Sequence, residues 1–285
     1  MVGAGIAVLL PNSNSLGMFG ENGLEYPLPG KKQVVELFTQ NQTLINIKAA
    51  QGFIRLQLTP IAIPILQLVD LLEKAIIKHH KEGNIYQTRQ SETEPQIPVR
   101  VNKEKQVWIW ETLRQAMAND ELVYFPKVYS NTSHDGMTKS EAIHHPDICA
   151  VPGWSVGLIE DFAIMPSPGQ EQVFGERKQL KVGLSPCEYL DLLKGEHYRG
   201  ESGLLLEDFI TKFLTRLESS SEVSHDVDDH NATWCLGQYL RISYADVVPT
   251  GRWIRQVGRV RLDMHRSRNK ECTKSWGAVT MVRLG

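Results

Sequence analysis

The sequence lacks the short motifs that mark common enzyme classes. G-x-S-x-G, H-E-x-x-H and G-x-x-x-x-G-K-[ST] do not occur in its 285 residues. Gly3 and Gly5 supply two glycines of a dinucleotide fingerprint, but Val8 stands where the third should be and no strand precedes residue 3. We identify no catalytic residue, and the sequence favours a protein that is not an enzyme.

Cysteine pairs and long apolar runs are also missing. The four cysteines are far apart and form no C-x-x-C pair, so reduced thiols and disulfides both remain open. No stretch approaches the roughly 18 apolar residues that span a bilayer. Residues 1–10 are apolar but lack the basic start of a signal peptide. We therefore expect a cytoplasmic protein without a membrane partner.

The chain has little net charge, −2, but its charges are unevenly distributed. Residues 160–230, the acidic segment, hold seven Lys and Arg against fifteen Asp and Glu. Residues 241–285, the basic tail, hold ten against three. Opposite fields of this kind predict charge pairing within the chain, or between subunits of a homo-oligomer or multi-protein assembly.

Two consecutive helices are predicted between Leu184 and Ser219. Ser185-Pro186-Cys187-Glu188 combines a hydroxyl cap, a proline at the first helical position and a glutamate three residues after the cap. The second helix is amphipathic, because its apolar residues recur at three- and four-residue steps. These residues are Leu205, Leu206, Phe209, Ile210, Phe213, Leu214 and Leu217. We expect the C-terminal two-thirds of the chain to fold around this pair.

The N-terminal region differs in character. Glycines and prolines concentrated in residues 10–30 predict an extended arm. Short apolar stretches at 44–48 and 53–58 predict a hairpin, and 65–80 an amphipathic helix. Strands and helices do not alternate regularly along the chain, which indicates an α+β fold.

The polar composition of residues 81–104 predicts a linker or mobile loop. The predicted organisation is therefore an N-terminal unit at 1–80 with the arm and the hairpin-plus-helix, this linker, and a larger domain at 105–285. The larger domain is built from the two helices packed on strands.

We expect no cofactor, with a divalent metal ion as the alternative hypothesis. His225, Asp226, Asp229 and His230 form the densest polar cluster. On a helix, His225 would share a face with Asp229, and Asp226 with His230, so imidazole and carboxylate groups would meet one ion. The preceding serines favour a solvated acidic loop, and no remote third ligand is identified.

Cys149 closely follows His144 and His145, which raises the hypotheses of a thiolate nucleophile and of a metal site. Pro146 interrupts the segment. A surface turn with a buried, inert thiol is the favoured interpretation.

The basic tail suggests a second binding chemistry. Arginine binds phosphate through paired donors and tryptophan stacks on bases, so this part of the chain is a candidate for single-stranded nucleic acid. The candidate residues are Arg252, Trp253, Arg255, Arg259, Arg261, Arg266 and Arg268.

Three functions follow from these patterns. A non-enzymatic interaction or assembly protein is favoured, because of the arm, the oppositely charged segments and the missing catalytic motifs. A nucleic-acid-binding protein using the basic tail is the first alternative. A metal-dependent enzyme using residues 225–230 is the second.

Overall fold

The computed structural model describes residues 1–89, 91, 93–130, 135–160, 165–223, 232–242, 245–268 and 275–284. Within them it has seven α-helices and sixteen β-strands, in agreement with the predicted α+β class. The helices are α1 (Lys31–Gln40), α2 (Gln42–Ala50), α3 (Ile65–Lys81), α4 (Glu111–Ala118), α5 (Lys139–His144), α6 (Pro186–Leu193) and α7 (Leu206–Ser220).

The strands are short, apart from four that build the main sheets. They are β1 (Val8–Leu10), β2 (Ser15–Phe19), β3 (Glu25–Pro27), β4 (Phe53–Pro60), β5 (Val107–Ile109), β6 (Val123–Tyr124), β7 (Trp154–Glu160), β8 (Val173–Phe174), β9 (Arg177–Lys178), β10 (Glu201–Gly203), β11 (Thr233–Trp234), β12 (Gln238–Ile242), β13 (Ala245–Ile254), β14 (Arg259–Arg266), β15 (Gly277–Ala278) and β16 (Thr280–Arg283).

Helix α7 lies at the centre of the molecule and packs on α3, β4 and β13. Its apolar face is buried, and Phe213 stands 6.1 Å from the ring of Trp253. The helix approaches β13 so closely that a Cβ at Gly251 would lie 2.4 Å from the Phe209 ring. The predicted helices at 185–194 and 205–219 are therefore confirmed, and Ser185 and Glu188 form the predicted capping box.

Two sheets flank this helix. The first has the strand order β10-β16-β7-β4 with every pair antiparallel. The second is built on the β13–β14 hairpin, whose β14 also pairs with β5 in parallel. On its other side β13 pairs with β12 and β11, and these continue to β6 and β15. The strands β1-β2-β3 and β8-β9 form two small separate sheets.

The predicted N-terminal hairpin is wrong. Residues 42–50 form helix α2, and β4 pairs with β7 instead of a neighbouring strand. Leu44, Ile45 and Lys48 have helical spacing, and Leu44 and Ile45 pack on the sheet that contains β4. The predicted helix at 65–80 is confirmed as α3.

The arm predicted over residues 10–30 is not an irregular loop. It contains β2, β3 and the end of β1, which form an antiparallel sheet in which glycines allow close strand approach. A Cβ at Gly17 would lie 2.4 Å from the carbonyl oxygen of Tyr26. The glycines and prolines of this segment therefore serve tight packing and turns between short strands.

Both sides of the predicted boundary contribute to one core. β4 shares its sheet with β7 and β16, and the main apolar cluster includes Ile63, Ile85, Val101 and Leu284. Residues 1–80 and 105–285 are joined through this sheet. Whether either unit folds without the other stays a prediction.

The first turn of α7 carries two buried carboxylates that connect the surrounding elements. Asp208 accepts hydrogen bonds from the Leu205 N–H at 2.8 Å and the Thr59 hydroxyl at 2.6 Å, and it pairs with Arg283. Glu207 accepts from the Tyr124 hydroxyl at 2.7 Å and lies 3.7 Å from Lys139. We call these two acids and their partners the α7 carboxylate network.

We expect Asp208→Asn to lower the free energy of unfolding by about 3–5 kcal/mol, because it leaves the buried Arg283 without a counter-charge. The midpoint of urea unfolding, followed by tryptophan fluorescence, measures the loss. Glu36→Gln is the matched control, since it breaks an exposed ion pair with Lys32 and should leave the midpoint unchanged. Similar midpoints for both variants would show that the network is not a main source of stability.

Candidate functional site

A second buried charge cluster holds β9 against the first sheet. Arg177 donates to both carboxylate oxygens of Glu201 at 2.7 and 2.9 Å and to Glu160 at 2.6 Å. Lys48 of α2 donates to Glu201 at 2.7 Å. Two cations and two carboxylates balance in this cluster, and burial raises the pKa of Glu160. Each charge has an opposite charge as its partner, so the cluster has a structural role: it joins β9 and α2 to the first sheet.

Much of the acidic segment is used in such internal contacts. Glu160, Glu201, Glu207, Asp208 and Glu222 are all buried in pairs within the chain. The Asp208–Arg283 pair joins the acidic segment to the basic tail inside one molecule. These five carboxylates are not exposed to a second subunit.

Cys149 is a buried thiol without nucleophilic character. Burial raises its pKa to about 12, and the nearby carboxylates act in the same direction while Arg283 opposes them. His144 donates through Nδ1 to the carbonyl oxygen of Ser140 at 2.8 Å, and His145 lies 4.0 Å from Asp147. The geometry agrees with a buried, inert thiol.

The metal-ligand candidates His225, Asp226, Asp229 and His230 lie outside the described residues. Among the residues that the structure does describe, no group of three or more His, Cys, Asp or Glu is arranged to hold a metal ion. The helices in the same ranges include none with the length and apolar run needed to cross a membrane.

Exposed apolar side chains are concentrated at the N-terminal end. Among the residues that the structure describes, ten of the fourteen large apolar side chains that are exposed precede residue 57. They are Val2, Val8, Leu9, Leu16, Phe19, Leu24, Val35, Ile47, Ile54 and Leu56. We call them the N-terminal apolar surface. Exposed apolar residues that also lie together in space are typical of contact surfaces, and two of these ten, Val35 and Leu56, line one groove.

Part of this surface is a groove beside an open strand edge. Helices α1 and α2 and strand β4 enclose a groove of about 480 Å³ whose apolar lining is Val34, Val35, Phe38, Ile45 and Leu56. In the described residues, β4 pairs with β7 on one side and has no strand on the other. The β4 register is regular from Arg55 to Pro60, beyond a bulge at its start.

The alternation of side chains along β4 explains why its apolar residues face outward. Gln57 and Thr59 point toward α7, where they donate to the carbonyl oxygen and carboxylate of Asp208. Leu56 points to the opposite face, where it lines the groove. Ile54 is 65% exposed and Leu56 is 44% exposed.

The candidate nucleic-acid residues of the basic tail do not form one surface. Arg252 and Trp253 are neighbours on β13, so their side chains lie on opposite faces. Trp253 is completely buried against Phe213 and cannot stack on a base, which corrects the prediction for this residue. Alternating residues of a strand cannot all face one ligand.

The arginines separate in the same way. Arg252, Arg255, Arg259 and Arg261 lie near the turn that joins β13 to β14. Arg266 and Arg268 lie at and beyond the other end of β14, about 20 Å away at the usual rise per residue. The predicted set of arginines is therefore divided between the two ends of the β13–β14 hairpin.

The structure adds basic residues that the sequence analysis missed. Residues 100–108 lie along the β13–β14 turn because β5 pairs in parallel with β14, with Trp108 opposite Arg261. This brings Arg100, Lys103, Lys105 and Trp108 to the turn. Parallel pairing between segments about 150 residues apart leaves no local pattern in a sequence.

Comparison with protein-family models, curated protein sequences and solved structures finds no match for this chain.

We expect Cys149 to resist iodoacetamide in the folded protein from pH 7 to pH 9. With a pKa of about 12, about one thiol in a thousand is ionised even at pH 9, and burial blocks the reagent. Mass spectrometry of the alkylated peptides measures this, and the half-buried Cys187 serves as the internal comparison. Rapid labelling of Cys149 in the native state at a rate that levels off before pH 9 would contradict the assignment, because it would show an accessible thiol with a pKa well below 12.

Proposed function

We propose that this protein is a self-associating interaction protein whose subunits join through the open edge of β4 and the N-terminal apolar surface. The observation that carries the proposal is that, in the described part of the chain, ten of the fourteen exposed large apolar side chains lie before residue 57. Burying such surface is the main driving force of association in water.

A second copy of the same chain is the proposed occupant of this surface. A two-fold interface must be complementary to itself, and an antiparallel strand edge meets that condition. Pairing β4 with β4 of another copy would extend each four-stranded sheet into one of eight strands. It would also bring Ile54, Leu56 and the groove beside α1 close to the same residues of the partner.

The features that commonly protect a sheet edge are confined to the ends of β4. The bulge lies between Phe53 and Arg55, and the proline is at position 60. The stretch from Arg55 to Thr59 is regular, and Arg55 is its one charged residue. Natural edge strands are usually shorter or carry more charge, so an edge of this composition favours pairing.

The proposed basis of association is apolar contact rather than charge pairing. Five carboxylates of the acidic segment are buried within the chain, which leaves fewer acids to meet the basic tail of another subunit. The two mechanisms respond differently to salt. Pairing of exposed charges weakens as ionic strength rises, whereas burial of apolar surface does not.

We expect a solution mass twice the chain mass of 32.2 kDa, at both 50 mM and 500 mM salt. Light scattering behind a sizing column measures it at 100 µM protein. The double variant Ile54→Lys/Leu56→Lys should be a monomer, because it places two charges in the strand edge.

Ile97→Lys is the control, since Ile97 is 50% exposed but lies outside the N-terminal apolar surface. This variant should keep the wild-type mass. A wild-type monomer under all conditions would overturn the proposal. An oligomer that dissociates in high salt and is unaffected by the β4 variant would indicate electrostatic assembly instead.

A further inference from the structure

The turn between β13 and β14 presents cations from two distant parts of the chain. Arg255 and Arg259 flank the turn, and Arg261 follows on β14. Arg100, Lys103 and Lys105 come from the segment before β5 and are exposed. Together with Trp108, these residues form what we call the hairpin-tip surface.

The backbone under this surface is held in place by hydrogen bonds. The Asn102 N–H donates to the carbonyl oxygen of Gly258 at 2.7 Å, and the Val260 N–H donates to that of Gln106 at 2.9 Å. Gly258 has a φ of +68°, and a Cβ there would lie 2.3 Å from the carbonyl oxygen of Arg100. The two segments are therefore in direct contact, which fixes the spacing of the cations.

The Asn102 side chain orders the segment itself. Its Oδ1 atom accepts from the N–H groups of Glu104 and Lys105, each at 3.0 Å. The Gln106 side chain donates through Nε2 to the main-chain carbonyl oxygen of Asn102 at 2.8 Å. Lys103 and Lys105 thus extend from a closed turn rather than from a free loop, which reduces the entropy lost on binding.

Most of these cations have no acidic partner in the described part of the chain. Arg100, Arg255, Arg259, Lys103 and Lys105 form no ion pair with a described acidic side chain, and Arg100 donates to the carbonyl oxygen of Gln256 at 3.4 Å. The Nε atoms of Arg255 and Arg259 are buried without a hydrogen-bond acceptor. These Nε atoms are closed to a ligand, but each guanidinium carries further N–H donors, and cations without an acidic partner suit phosphate oxygens.

The acids near this surface do not cancel its charge. Asp263 pairs with Arg261 at 2.8 Å, and Glu73 accepts from the Gln106 N–H at 3.3 Å. Glu104 is exposed within the segment. Six cations against three acids leave a net positive field at the tip of the hairpin.

An aromatic ring completes the surface. The Arg261 guanidinium lies 4.5 Å from the centre of the Trp108 ring, and the same guanidinium forms an ion pair with Asp263. Trp108 is half-buried on β5, whose neighbour in the described residues is β14 alone. A ring fixed at a sheet edge beside free cations suits a base attached to a phosphate chain.

We propose that the hairpin-tip surface binds single-stranded nucleic acid, with the five cations on phosphates and Trp108 against a base. The flexible single strand can follow cations on two segments and still bring a base to the ring. The surface does not overlap the N-terminal apolar surface, so this proposal does not depend on self-association.

The test is fluorescence anisotropy with a labelled oligothymidylate of 20 nucleotides and the full chain. For three to five phosphate contacts, we expect the Kd to weaken about 20- to 100-fold between 50 and 200 mM salt. Arg255→Glu/Arg259→Glu should abolish binding. Lys31→Glu/Lys32→Glu changes the net charge equally on exposed residues of α1 and should bind like the wild type.

Two further variants separate base stacking from simple charge attraction. Trp108→Leu should weaken binding by about 5- to 150-fold, whereas Trp108→Phe should retain most of it. Inorganic polyphosphate is the comparison ligand, and its affinity should be the same for the wild type and Trp108→Leu. Thermal unfolding of each variant confirms that it is folded.

Several outcomes would overturn the proposal. One is no binding at 50 mM salt, and another is equal loss of binding in the hairpin and α1 double variants. Equal affinity for a duplex of the same length, with no effect of Trp108→Leu, would show a general polyanion surface instead of a single-strand site.

Discussion

The structure depends on satisfying two adjacent carboxylates that the fold buries at the first turn of α7. Neither Glu207 nor Asp208 is exposed, and an unpaired carboxylate would be very costly in that position. Their partners come from β4, β6, α5, β12 and β16. The start of the helix favours negative charge, and the surrounding elements supply the donors. Elements far apart in sequence therefore meet at one helix end, which makes the network a strong constraint on the whole arrangement.

This arrangement also explains where the molecule carries its contact surfaces. Gln57 and Thr59 of β4 turn inward and donate to Asp208, so Leu56 between them turns outward and lines the groove beside α1 and α2. At the opposite sheet, the apolar face of β13 and β14 packs on α7 and the arginines turn away from it. In both sheets, burial on one face determines what the other face presents.

The helices predicted correctly from the sequence are those that capping residues and apolar spacing define locally. The cap at Ser185 and the apolar spacing from Leu205 to Leu217 predicted α6 and α7, and the pattern at 65–80 predicted α3. The prediction failed at residues 44–48, where a short apolar stretch fits a strand or a helix equally well. The candidate residues of the basic tail included Trp253, which is buried, because the sequence does not show which face of β13 packs on the core.

The sequence by itself determined the α+β class, the central amphipathic helix and the excess of basic residues in the tail, because each is encoded by residues close together in the chain. Only the tertiary structure decided that β4 is an edge strand, and that residues 100–108 join the turn at 255–259. It also decided that the carboxylates at 207 and 208 are buried with partners as distant as Thr59 and Arg283. Strand neighbours and buried ion pairs depend on contacts between distant segments, and hydrophobic periodicity carries no information about which segments meet.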